Sequence, residues 1–184
     1  MTKKLKILYR RTLICAVAAL VSSAQAAGVP QKAPDTQAAG ASVASQPIPS
    51  SVARYDARLF ELVEPGEKQY DAGFARQLRS LIGPQLAKND KFLARLTSGP
   101  AAAPTYVATP QHAYIHYGIC QAHQCDITTM DILFDPTRNR MVGKLLDSCT
   151  SQWLGQPDKA EMALLDERHR TSFPATVTAC AGDK

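Results

Sequence analysis

The stretch Cys120-Gln121-Ala122-His123-Gln124-Cys125 brings two sulfurs and one imidazole within six consecutive residues. No other ionisable side chain lies between the cysteines. Two chemistries are open to this pattern. As thiolates, Cys120 and Cys125 join His123 in a three-ligand set for zinc or copper, without a clear fourth ligand. As a disulfide, they close a small ring with His123 held at its tip. Such a ring is poor equipment for catalysis and suits a stiff projection that enters another molecule's cleft. A thiol–disulfide enzyme fits less well, because a Cys-x-x-Cys within an alternating βαβ pattern is missing. No nucleophile–base pair, paired-carboxylate site or phosphate loop stands out elsewhere, so the chain reads as a non-enzyme without a cofactor.

The redox compartment decides between the two cysteine states, and the N-terminus speaks to it. Residues 1–26 have the layout of a cleavable signal peptide. Lys3, Lys4, Lys6, Arg10 and Arg11 precede an apolar run from Leu13 to Val21, and Ala24-Gln25-Ala26 forms the exit site. The run is far shorter than the roughly 20 residues a spanning helix needs. Cys15 lies inside it and leaves with the signal. The expected destination is the periplasm, where disulfides form and persist. Oxidation therefore takes precedence over the metal reading.

Cleavage also changes the charge. The chain has 21 basic and 16 acidic residues, and the five excess basic residues all fall within the first 11 positions. The mature chain is thus formally neutral, and no dense basic stripe of the kind nucleic acid requires remains. Arg138-Asn139-Arg140 and Arg168-His169-Arg170 read as solvated turn or helix-end charges.

Residues 27–54 are mostly Ala, Ser, Pro, Gln and Gly, which bury too little surface to offset chain entropy, and read as a disordered tether. Residues 55–184 then form one domain of ordinary size. Tyr70, Phe74, Leu78, Leu81 and Ile82 recur at helical steps and predict one helix face, ended by Gly83-Pro84. Asp90 to Leu96 predicts a second short helix with Phe92, Leu93 and Leu96 inward, stopped by Ser98-Gly99-Pro100.

The middle of the domain alternates. Ile115, Tyr117 and Ile119 share one strand face, with Tyr114, His116 and Gly118 on the other. Met130, Ile132 and Phe134 face together in a strand over Asp126–Asp135, and Met141–Leu146 returns after the turn residues Asp135 to Arg140. These make an antiparallel meander whose first connection is the cysteine loop. Trp153 to Pro157 leads into a helix begun by Asp158 and Glu161, with Met162, Leu164 and Leu165 set toward the core. Phe173 to Cys180 reads as a final strand. The sum is an α+β domain. His112 and His116, four apart in a strand, stand roughly 13 Å from one another, too far to share one ion, and read as surface or edge residues. His169 reads as a helix-end cation.

Four cysteines remain after cleavage: Cys120, Cys125, Cys149 and Cys180. The meander sets Cys120 and Cys125 at facing ends of neighbouring strands, within bridging reach. That leaves Cys149 with Cys180. Chain entropy assigns the small ring about 2 kcal/mol and the wider loop nearer 4 kcal/mol. The small ring's main effect is therefore to fix the shape of residues 121–124.

Cys-x-x-His-x-Cys between two strands resembles the signature loop of the Ivy family, the periplasmic inhibitors of vertebrate (C-type) lysozyme. The resemblance runs from about Tyr70 to about Leu165 and takes in the helical start, the strand Ala113–Gly118, the hairpin through Met141-Val142-Gly143 and the Trp153-Leu154 step. It implies an antiparallel sheet of about five strands with flanking helices, a homodimer, a lysozyme partner, and a loop (Gln121, Ala122, His123, Gln124) that plugs the lysozyme active site with its histidine. The family loop usually reads Cys-Lys-Pro-His-Asp-Cys. Here Gln121, Ala122 and Gln124 replace the lysine, proline and aspartate. Ala122 gives up proline's fixed backbone angle, Gln124 denies His123 a carboxylate partner, and Gln121 removes a positive charge. Cys149 and Cys180 stand as an addition to the family pattern.

Overall fold

The computed structural model of the chain describes residues 45–182. The expected signal peptide and residues 27–44 of the expected tether lie outside them. Residues 45–54 belong to the folded body. Gln46 exchanges both backbone hydrogen bonds with Tyr106, at 2.9 and 3.2 Å, and Ser50–Tyr55 forms a 3₁₀ turn. Ile48 and Val52 pack against the main core, so two apolar residues seat a segment whose composition alone reads as tether.

Four short helices precede the sheet: α1 Leu59–Val63, α2 Ala72–Leu81, α3 Gly83–Leu86 and α4 Phe92–Leu96. Five strands follow: β1 Thr105–Ala108, β2 Ala113–Cys120, β3 Thr129–Asp135, β4 Arg140–Asp147 and β5 Thr150–Leu154. Helices α5 Lys159–Ser172 and α6 Pro174–Ala179 close the chain. The strands lie in sequence order, all antiparallel. The domain is α+β, with helices on both faces of one antiparallel sheet.

Period-two alternation builds two cores. Ile115, Tyr117, Ile119, Met130, Ile132 and Phe134 meet Leu59, Leu62, Phe74, Leu78, Phe92 and Leu96 from α1, α2 and α4. Tyr114, Leu133 and Val142 meet Leu164 and Leu165 of α5 on the other face. Asp71 caps α2 by accepting the Phe74 N–H at 2.9 Å. Asp158 and Glu161 form a reciprocal capping box on α5, at 2.8 and 3.0 Å, the device expected when an acidic N-cap is followed three residues later by Glu.

Several elements differ from the sequence reading. Tyr70 precedes α2 and is 41% exposed, so it does not share the Phe74–Leu78 face. Helix α2 ends at Leu81, just before Gly83-Pro84 as expected, and those two residues also open the separate single turn α3. Trp153 and Leu154, read as the start of the lead into α5, belong to the sheet, because Thr150–Leu154 is a strand paired with β4. Its hairpin turns through Ser148 and Cys149, both at positive φ (51° and 62°), the backbone that tight hairpins require. Glycine and asparagine usually supply it, so the turn carries no local sequence signal. The expected final strand, Phe173 to Cys180, is the helix α6. Thr and Val favour strands only where a pleated neighbour is available, and here Pro174 starts a helical turn while the Cys149–Cys180 bridge holds its end.

Candidate functional site

Strand register sets the base of the cysteine loop. Cys120, the last residue of β2, lies opposite Thr129, the first of β3. Residues 121–128 therefore connect the two strands, and Cys120 and Cys125 are joined with their Cα atoms 4.9 Å apart. Inside the ring the Gln124 N–H donates to the Gln121 carbonyl at 3.0 Å. That bond closes a β-turn whose third residue is His123, at φ 61°. Left-handed backbone is uncommon for a residue with a side chain, though histidine tolerates it better than most. The turn sets the imidazole at the tip, where His123 is exposed while Gln121, Ala122, Gln124 and Cys125 are half-buried.

The ring is bonded to the body on both sides. Beneath its first half, Ser98 Oγ accepts the Ala122 N–H at 3.3 Å and donates to the Arg95 carbonyl at 2.5 Å. Gly99 passes so close that a Cβ there would lie 2.3 Å from the Cys120 carbonyl oxygen and 2.9 Å from the Ala122 nitrogen. On the other side, the Thr176 hydroxyl of α6 donates to the Cys125 carbonyl at 2.7 Å. Two bonds fix the exit: Cys149 N–H to the Ile127 carbonyl at 3.1 Å, and Thr128 N–H to the Gln124 carbonyl at 2.8 Å. Cys149 and Cys180 are themselves bridged, Cα to Cα 5.3 Å. The four cysteines among the described residues thus gather at one end of the sheet. In the sequence Ser98-Gly99-Pro100 marks only a helix stop, and no local signal marks Thr176.

Beside the loop lies an open groove of about 720 Å³, lined by Pro100, Ala101, Cys120, His123, Asp126, Phe173 and Pro174 among others. Its walls are mainly apolar, and His123 and Asp126 supply its ionisable groups. Both sulfurs of the loop are tied up in the bridge, so Cys120 and Cys125 present no thiolates to a metal. Among the described residues no group of three His, Cys, Asp or Glu is placed to hold a metal ion.

Of the other three histidines, His112 is half-buried just before β2, and two lie inside the body. His116 and His169, read as an edge residue and a helix-end cation, are 4% and 5% exposed. His116 Nε2 and His169 Nδ1 each lie 2.8 Å from one oxygen of Asp131, which is fully buried in β3. Helix α5 covers the sheet face that the sequence reading left open, which is why His116 is inside. The basic clusters are likewise less solvated than expected. Arg138 pairs with Asp135 at 2.6 Å, Arg140 pairs with the buried Glu161, and Arg168 is buried and bonds Ser45 Oγ at 2.6 Å. In this network burial pushes Tyr114 up to about 12, reinforced by the charge and hydrogen bond of Glu161 against the pull of Arg138. Burial also acts to raise Asp135, but hydrogen bonds from the Arg138 backbone and guanidinium, that cation's charge and the Thr137 N–H outweigh it and hold the carboxyl below its usual range. These groups tie β2, β3, β4 and α5 together, and none of them lines the loop groove.

A family model described as Inhibitor of vertebrate lysozyme (Ivy) matches residues 73–174. That span is more than half of the chain and contains α2 from its second residue, α3 to α5, the whole sheet and the cysteine loop. The chain belongs to the Ivy family. No curated protein matches it. Membership places the chain among inhibitors of lysozyme and not among enzymes. The family match ends at Pro174, so most of α6 and the half-cystine Cys180 lie beyond it.

Proposed function

We propose that the mature chain is an exported, stoichiometric inhibitor of C-type lysozyme that blocks the active-site cleft with the loop Cys120–Cys125, His123 leading. The observation that carries this reading is an exposed imidazole at the tip of a turn that is both ring-closed and bonded to the body on either side. Ordering entropy weakens any binder that must stiffen on contact, and a loop fixed beforehand avoids most of that cost.

The target's chemistry explains why histidine suits the tip. Lysozyme works with two carboxyl groups flanking the sugar bond, one protonated and one ionised. A charged imidazole has a donor on each ring nitrogen and can meet both. Gln124 beside it supplies an uncharged amide for further hydrogen bonds to the cleft. Placement between two acids favours the charged ring. Affinity from that charge is therefore greatest on the acid side and falls as pH rises well above about 7. An inhibition constant flat from about pH 5 to 9 contradicts a charged His123 in the complex.

Export follows from residues 1–26 and accounts for two disulfides in a small domain. N-terminal sequencing of protein recovered from the periplasm is expected to begin at Ala27. Among the described residues no helix is long and apolar enough to cross a membrane. The test of function is a wall-lysis assay with C-type, goose-type and bacterial lytic enzymes, each titrated with the mature oxidised protein. We expect the C-type enzyme to lose activity linearly to a one-to-one end-point. Full activity of every enzyme at excess protein overturns the proposal.

A further inference from the structure

We infer that α6, anchored through the Cys149–Cys180 bridge, is a brace that sets the orientation of the inhibitory loop, and that Thr176 is its positioning residue. The inference rests on the reading of residues 120–125 as the inhibitory element.

A disulfide ring fixes the shape of a loop but not its angle to the body. That angle is set by whatever holds the residues where the ring meets the fold. On the exit side, consecutive residues are held by one assembly. Cys125 offers its carbonyl to the Thr176 hydroxyl at 2.7 Å. Asp126 has its carbonyl oxygen 3.8 Å from Cys180 Sγ. Ile127 accepts the N–H of Cys149 at 3.1 Å. Cys149 and Cys180 are the two ends of the second bridge, so this bridge closes a frame around residues 125–127.

The start of α6 is seated as firmly as its end. The Phe173 ring lies against Gly118 of β2, where an added Cβ would be 3.3 Å from Phe173 Cζ. Thr176 is fully buried although its residue type is polar. A buried hydroxyl aimed at a loop carbonyl needs a reason, and holding that carbonyl supplies one. The loop tip lacks proline; residues 121–124 are held by Ser98, by their own turn, and by backbone bonds from Gln121 and Gln124 to Ile127 and Thr128, which adjoin the frame. Orientation of His123 therefore depends on the frame behind it. Most of that frame lies beyond the stretch shared with the family, so the brace is a feature of this chain's C-terminus.

The test compares the unaltered mature protein with Thr176→Val, which keeps the side-chain shape and loses the hydroxyl, and Thr176→Ser, which keeps the hydroxyl. Amide hydrogen exchange is measured at residues 121–128 in the free proteins, and inhibition of C-type lysozyme in parallel. Thr176→Val is expected to speed exchange in the loop and raise the inhibition constant about tenfold, the scale of one lost buried hydrogen bond. Thr176→Ser is expected to restore both. A general loss of structure would instead speed exchange in the strands as well. Unchanged loop exchange in a folded Thr176→Val overturns the brace, and so does unchanged inhibition. Should the unaltered protein fail to inhibit, the functional reading falls while the exchange comparison alone decides the brace.

Discussion

At the scale of single residues, the most demanding group in the fold is Asp131. A fully buried carboxylate is costly unless every lone pair is used, and His116 and His169 use both oxygens. Asp131→Asn leaves one amide group to face two imidazoles and loses the charge that both contact. We expect it to cost ~3 kcal/mol, the range for breaking a buried polar pair, read as a lower midpoint in urea at unchanged slope. Asp135 makes a pH prediction. Its folded carboxyl lies below the ordinary value of 3.8, so its contribution is full above that value and is lost as pH falls through the depressed one. Asp135→Asn is expected to flatten the acid limb of the stability–pH curve below about pH 4, and an unaltered limb contradicts this assignment. Neither role was legible in the sequence. Alternation correctly separated Ile115, Tyr117 and Ile119 from Tyr114, His116 and Gly118, but it cannot say that a second helix covers the polar set. The exposed His123 was legible, because two cysteines that close a ring leave its middle nowhere to go but outward.

At the scale of elements, the loop depends on neighbours that the sequence presents as mere punctuation. Gly99 is needed for close backbone approach and not for its dihedral freedom. Gly99→Ala places a Cβ 2.3 Å from the Cys120 carbonyl oxygen, and backbone must move. We expect a stability loss of ~1–3 kcal/mol, typical of overpacking, together with weakened inhibition. A wild-type melting curve and wild-type inhibition constant contradict it. Helices α2, α4 and α5 and strands β2 to β4 were legible because their apolar period and caps agree with their packing. Strand β5 and helix α6 were not. The first turns through Ser148 and Cys149 at positive φ without the usual residues, and the second has strand-like composition with no strand beside it. Both are held by the Cys149–Cys180 bridge. Replacing both cysteines by serine is expected to cost about 3–4 kcal/mol by the loop-entropy estimate, checked by denaturant unfolding. A loss under about 1 kcal/mol contradicts the bridge as the anchor of the C-terminus.

At the scale of the whole molecule, residues 1–26 carry the entire charge excess, and under the proposed cleavage the protein meets its target without long-range attraction. Its association rate is therefore expected to vary little with salt, changing less than about threefold over the physiological range. A steep fall with added salt contradicts contact complementarity as the source of affinity. The layered fold serves this arrangement by placing both bridges, α6 and the Ser98–Gly99 segment at one end of the sheet, behind a single projecting imidazole. The most direct measurement is the inhibition constant of His123→Ala against C-type lysozyme beside that of the unaltered mature protein. The account predicts a loss of at least about 100-fold, as for a central anchor of an interface. It also predicts a melting temperature within about 2 °C, since an exposed side chain contributes little to folding. An inhibition constant unchanged within error, in a protein that remains folded, contradicts the central claim.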